Sequence, residues 1–389
     1  MSLQQLNWMQ TELETLREQK KFRSLVESKP QPDGWVLRDG RRMLNLASNH
    51  YLGLDSVEMD TSNEELGEHG LGAGASRHVT GHHPLYTRME EEFAVFKGTE
   101  SCLLFSCGYM ANIGVIPALV GRADYVFSDR LNHASITEGI LLSRAHSCRY
   151  RHRDIDQLEA QLQKAPAGVK KLIVTDSIFS MDGSMAPLLE LVELKDRYGA
   201  MLMVDEAHSG GLYSEEGQGL IHALGLSDRV EVQMGTFSKA YGCYGAYVAG
   251  DRLLKEYLTN KARSLIYTTA LPPVLIAGIH SRWRSVKEQG GRRRDLQQKA
   301  ARFRQTLQQA GLDTGRSECQ IVPLLLGSNE RALTVSERLQ QEGIAAVAIR
   351  PPTVPEGEAR IRFSLMATHR DEDLEWALEH IIRIGREES

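Results

Sequence analysis

Apolar residues in the middle of the chain come in short runs separated by longer polar and helix-spaced stretches. Leu103–Phe105, Tyr125–Phe127, Leu172–Val174, Met201–Val204 and Val232–Met234 form such a series. None alternates strictly between apolar and polar, which is the pattern of strands buried on both faces. Strand followed by helix, repeated, predicts an α/β domain with a mostly parallel sheet covered by helices on both faces. Ahead of it, Leu3, Leu6, Leu13, Leu16 and the Trp8–Met9 pair recur at helical spacing. They predict an amphipathic N-terminal helix ending near Lys20. Pro30, Pro32, Asp33 and Gly34 then break the chain, and Trp35–Leu37 with Met43–Ala47 reads as a hairpin around Asp39–Gly40.

Residues 275–310 are helical in pattern and rich in arginine (Arg282, Arg284, Arg292, Arg293, Arg294). The run reads as a solvated helix face. Ile321–Leu326 and Arg360–Leu365 read as strands, with helices near 330–342 and 371–385. The pattern divides the chain into an N-terminal helix and hairpin segment (1–47), a large domain (48–285) and a smaller C-terminal α+β domain (286–389).

The net charge of −5 over 389 residues does not favour nucleic acid as a partner. The five cysteines (Cys102, Cys107, Cys148, Cys243, Cys319) are odd in number and show no CxxC spacing. They argue against a disulfide framework and structural zinc, so no metal is expected, and they fit a reducing cytoplasm. The N-terminus lacks the pattern of a signal peptide, and no stretch reaches the ~20 apolar residues of a membrane span.

Ligands of open parallel sheets bind beyond the carboxyl ends of the strands. There the five runs are followed by SCGYMANIGVI, SDRLNHAS, TDSIFSMDG, DEAHSGG and GTFSKAYG. Five loops supplying hydroxyl, imidazole, carboxylate and amine groups point to one site. Lys239 poses the sharpest question. A charge in an apolar interior is expensive, so this lysine is solvated, paired, or needed as a neutral nucleophile. Taken singly, Asp205 reads as a helix N-cap, His133 as a structural histidine, Gly108 as a turn glycine and Lys239 as a surface lysine.

In this order on successive strand ends they meet the needs of pyridoxal 5'-phosphate (PLP). The phosphate dianion wants the free N–H groups of a helix N-terminus, offered at Gly108 and Tyr109. The ring acts as an electron sink while its nitrogen stays protonated, and Asp205 would hold that proton. His133 would give the ring a flat partner, His208 would donate to its phenolic oxygen, and Lys239 would supply the amine for the aldehyde.

NHASITEG, SIFSMDGSMAPL, VDEAHSGG and GTFSKAYGCYGAYVAG resemble the α-oxoamine synthases, fold-type I PLP-dependent transferases, over about residues 22–384. The resemblance implies a covalent aldimine of PLP on Lys239, which would also move protons. It implies that His133 stacks on the ring and helps to bind substrate, and that Asp205 and His208 pair with the ring nitrogen and oxygen. Ser180 and Thr236 would hold the cofactor through their hydroxyls, and Gly108 and Tyr109 would bind its phosphate. Thr268 or Thr269 would reach the phosphate of a neighbouring subunit, implying a homodimer. Arg350, with Asn49 nearby, would bind the amino-acid carboxylate, and Arg23 and Thr353 the acyl substrate. IRPPTVP (349–355) is similar to members that condense L-alanine with a pimeloyl thioester, carried by CoA or acyl carrier protein. The glycine-using CoA ligases of the family usually differ there. The other readings are a family member using a different amino acid or a longer acyl thioester, a simple aminotransferase, and a binding or regulatory module built on the same fold. The chain departs from the family pattern at His50, Ala75, Glu206 and Ser209, and in the acidic segment Asp55–His69.

Overall fold

The computed structural model describes residues 6–54 and 70–388; the acidic segment lies outside them. The chain forms two compact units.

The larger unit spans 54–180 and 185–294. Its strands are β4 (Ser101–Phe105), β5 (Tyr125–Asp129), β6 (His146–Tyr150), β7 (Lys171–Asp176), β8 (Met201–Asp205), β9 (Val232–Thr236) and β10 (Ala246–Gly250). They make one seven-stranded sheet in the order β4-β10-β9-β8-β7-β5-β6. The pairings from β9 to β6 are parallel, and β10 runs antiparallel to both β4 and β9. Side-chain alternation sends Leu172, Val174 and Met203 into one apolar cluster and Ile173, Leu202 and Val204 into another. Helices Gly108–Leu119 and Ala134–Ser143 cover the first face. Helices Ile155–Lys164 and Leu188–Tyr198 cover the second. With both faces dry, the central strands need apolar residues at consecutive positions.

The smaller unit joins 1–53 with 181–184 and 295–389. The hairpin is present as β2 (Trp35–Arg38) and β3 (Arg41–Asn45), preceded by β1 (Ser28–Gln31). β3 also pairs in parallel with Ile344–Ala345. That pairing ties the N-terminal segment to the C-terminal part, which the sequence pattern treats as separate. A second sheet sets Ile321–Gly327 against Ala359–Ser364. Helices Asn329–Gln341 and Asp371–Glu387 lie where the pattern predicts them, and the N-terminal helix spans Asn7–Glu18. Gly34, at φ +76°, makes room for the buried ring of His369: a Cβ there would lie 2.2 Å from its Cδ2.

The arginine-rich stretch corrects the sequence reading at two positions. Arg282 and Arg293 are buried rather than solvated. Arg293 donates to the carbonyls of Val286 at 2.6 Å and Lys287 at 3.2 Å, closing the end of helix Pro273–Lys287, and to the carbonyl of Glu215. Arg282 donates to the carbonyl of Leu54. Helix ends leave carbonyls without partners, and a guanidinium with five donors can serve several at once.

Candidate active site

The larger unit builds its site from strand ends. β4 ends at Phe105, and Cys107, in extended conformation, caps helix Gly108–Leu119 without a side-chain hydrogen bond. Its first turn therefore presents N–H groups that no capping side chain takes up, the local arrangement that suits a phosphate. A side chain at Gly108 would meet Thr236 Cβ at 3.8 Å, so this helix start lies beside the end of β9. Thr236 Oγ1 donates to the Gly245 carbonyl at 2.8 Å and accepts from Ser238 N at 3.2 Å. Tyr109 is partly exposed and its hydroxyl donates to Glu138; that carboxylate raises the phenol's pKa.

Asp205 closes β8 and is buried. Its Oδ1 accepts from Ala207 N at 2.9 Å and its Oδ2 from Asn112 Nδ2 at 3.0 Å. On the neighbouring strand its register partner is Asp176, also buried. Burial and the nearby Asp205 charge raise the Asp176 pKa well above the usual carboxylate range, against the opposing hydrogen bond from His133 N at 2.8 Å. His133 caps helix Ala134–Ser143, its Nδ1 accepting from Ser135 N at 3.3 Å and lying 2.8 Å from Ser135 Oγ. Much of its surface is open, but the protein packed around the ring lowers its pKa, with Asp205 opposing and Lys239 reinforcing.

Lys239 follows β9, and its Nζ lies 2.8 Å from Nε2 of the buried His208. The lysine nitrogen is thus held against an imidazole at the end of the neighbouring strand. His208 itself rides on the turn after β8. Glu206 begins that turn and forms a fully buried ion pair with Lys97 at 2.5 Å. This gives a structural role to Glu206, where the family pattern noted above often has aspartate. Ser180, partly buried, stands four residues beyond the end of β7. Thr268 and Thr269 line a small cavity with Arg77, Ser106 and Ser264 of the same chain.

The smaller unit holds the other expected residues. Arg23 donates to Thr353 Oγ1 at 3.0 Å, which brings together the two residues expected to contact the acyl group. Arg350 donates to the carbonyls of Lys20 and Phe22. Asn49 pairs instead with Arg362, which donates to its Oδ1 at 2.8 Å and to Tyr51 Oη at 3.3 Å. Arg362 is buried. Sequence reasoning passed over Arg362, Asn112 and Asp176. The signal for Arg362 was present: ARIRFS sets two arginines two residues apart in an apolar strand, and so on one face.

An uncapped helix start, a strand-end carboxylate with two donors, an open imidazole and an amine beside a second imidazole form a donor set that fits PLP. Among the described residues there is no group of His, Cys, Asp or Glu arranged to hold a metal, and no helix long and apolar enough to cross a membrane.

The comparisons with known proteins agree with this donor set. The model of the family "Aminotransferase class I and II" matches residues 41–381. A Bacillus mycoides protein provisionally named 8-amino-7-oxononanoate synthase is 50% identical over 383 residues, 98% of this chain and 97% of its own. A Geobacillus kaustophilus protein of the same provisional name is 54% identical over 354 residues, 90% and 91% of the two chains. The solved serine palmitoyltransferase from S. paucimobilis with a bound PLP–myriocin aldimine superposes at a TM-score of 0.92 and 28% identity, covering 100% and 99%. An 8-amino-7-oxononanoate synthase from Francisella tularensis superposes at 0.76 and 28%, covering 88% and 97%.

Proposed function

Because this chain belongs to the class I and II aminotransferase family, as a PLP-dependent α-oxoamine synthase, we propose that it condenses L-alanine with a pimeloyl thioester. The products are 8-amino-7-oxononanoate, carbon dioxide and free thiol, a step of biotin synthesis. The observation that carries this reading is full-length identity of about half to relatives of that name.

PLP, when bound, supplies an electron sink that stabilises negative charge at the amino acid's α-carbon. The chain's own residues do the rest. Lys239 would hold the cofactor through its aldehyde and would move the substrate's α-proton. His208, 2.8 Å away, is placed to exchange a proton with Nζ. Asp205 would hold the ring nitrogen, and His133 would supply a flat partner for the ring. The first turn of the Gly108 helix, with Thr236 and Ser180, takes the phosphate and its surroundings. For the substrate carboxylate we assign Arg362 with Asn49, because Arg362 reaches Asn49 while Arg350 is engaged by main-chain carbonyls. Arg23 and Thr353 act together on the acyl thioester. The reading includes a homodimer in which Thr268 or Thr269 reaches the phosphate of the second subunit.

The close structural likeness to serine palmitoyltransferase favours a second reading, an α-oxoamine synthase using another amino acid or a longer acyl thioester. Thiol release measured with alanine, glycine and serine against pimeloyl-CoA and pimeloyl-acyl carrier protein decides between them. Release with alanine, and a product of the mass of 8-amino-7-oxononanoate, is expected. Release with glycine or serine but not alanine would sink the proposal.

A further inference from the structure

Asn112 is the only buried polar residue of helix Gly108–Leu119, with 1% of its surface exposed. None of the roles assigned above uses it. Its side-chain amide spends both hydrogens: one on Asp205 Oδ2 at 3.0 Å, the other on Ser135 Oγ at 2.9 Å. Ser135 Oγ in turn lies 2.8 Å from His133 Nδ1. A continuous chain of hydrogen bonds thus runs from the strand-end carboxylate to the imidazole that caps the next helix. Ser135 is buried too, so water does not compete for these contacts.

The other end of the amide shows what sets its orientation. Asn112 Oδ1 is buried and has no hydrogen-bond partner among the described residues. An orphaned buried acceptor is unfavourable, yet turning the amide over would aim that oxygen at the Asp205 carboxylate. The donor contact to the carboxylate therefore dictates the orientation, at the expense of the acceptor. With Ala207 N on Oδ1 and Asn112 on Oδ2, one donor fixes each carboxylate oxygen and further lone pairs remain for a ligand.

We propose that Asn112 is a positioning residue for the cofactor. It fixes the plane of the Asp205 carboxylate and, through Ser135, couples it to His133, so that the partners of the ring's edge and face keep one relative placement. The proposal rests on the assignment of Asp205 to the ring nitrogen and is independent of which amino acid or thioester reacts.

The test is equilibrium binding of PLP to cofactor-stripped protein, followed by the change in protein fluorescence. The variants are N112L, which keeps the side chain's bulk without its donors, D205A, and the double variant. N112L is expected to weaken PLP binding roughly tenfold or more, the loss that follows removal of a hydrogen bond to a charged group. In the D205A background N112L should add little, because it acts through that carboxylate. A purely structural role would add in full. N112S is the second variant, since its short hydroxyl cannot span both partners; it should show the same coupling if N112L does not fold. Binding by N112L and N112S within about twofold of wild type, or losses fully additive with D205A, would overturn the proposal. Loss in D205A with none in the Asn112 variants removes this proposal alone. Unchanged affinity in D205A removes the Asp205 assignment and the proposal with it.

Discussion

Replacing Lys97 by methionine tests how the turn that carries His208 is held. Lys97 ends helix Pro84–Lys97, and neither its side chain nor that of Glu206 is exposed to solvent. Its Nζ donates to Glu206 Oε2 at 2.5 Å and to the carbonyl of Gln218, and lies 5.7 Å from the centre of the Tyr247 ring. Glu206 Oε1 accepts from Ile221 N at 2.9 Å and Ser209 Oγ at 3.3 Å. One ammonium thus ties both ends of the segment between Glu206 and Gln218, with His208 inside it. Lys97→Met keeps the aliphatic stem and strands a carboxylate in a dry interior. Breaking a buried pair from one side destabilises by about 3–5 kcal/mol, mostly through the uncompensated charge. Removing both charges, in Lys97→Met/Glu206→Gln, should restore at least half of that loss. The assay is urea unfolding of cofactor-stripped protein, so that a change in PLP affinity does not enter the comparison. A single-variant loss below about 1 kcal/mol, the range of solvated pairs, would refute the argument. So would a double variant as unstable as the single one.

Four further outcomes follow from other parts of the molecule. His369 is buried and held neutral, its pKa lowered to about 4 chiefly by burial. The unfolded chain takes up its proton near pH 6.5, so stability should fall by roughly 3 kcal/mol as pH drops from 6.5 to 4. Urea midpoints across that window check this, and a His369→Gln variant as acid-sensitive as wild type would contradict it. Gly219 sits at φ +120°, where a Cβ would lie 2.5 Å from Glu206 Oε1. Gly219→Ala should cost about 1–3 kcal/mol in backbone strain plus displacement of Glu206, and an unchanged urea midpoint would show the turn to be pliable. Borohydride reduction and peptide mapping should place a pyridoxyl group on Lys239; an adduct on another lysine would remove that assignment. Arg362→Ala should raise the KM for the amino acid more than Arg350→Ala does, and the reverse order would return the carboxylate to Arg350.

The local pattern of residues determined the central strands and the chemistry at their ends. β7, β8 and β9 are buried on both faces, so they must be apolar at consecutive positions and stand out in any reading. β6 (HSCRY) escaped because it lies at the sheet's edge and exposes most of its residues. β10 (AYVAG) is mostly small residues wedged antiparallel between β4 and β9, and nothing in its own five positions specifies those neighbours. Asp205, His208 and Lys239 stood out as candidates because each lies within five residues of the end of an apolar run, and strand ends are where such sheets bind ligands.

Which polar group meets which was decided only by the tertiary structure. Lys239 and His208 are 31 residues apart, Asn112 and Asp205 93, and Asn49 and Arg362 313. The same holds for Arg282 and Arg293, which look like surface charge in sequence and are buried against main-chain carbonyls. A hydrophobic pattern records whether a position faces water, because burial acts on each residue separately. A hydrogen bond or ion pair depends on distance and angle between two groups, and those are set only when the whole chain has packed.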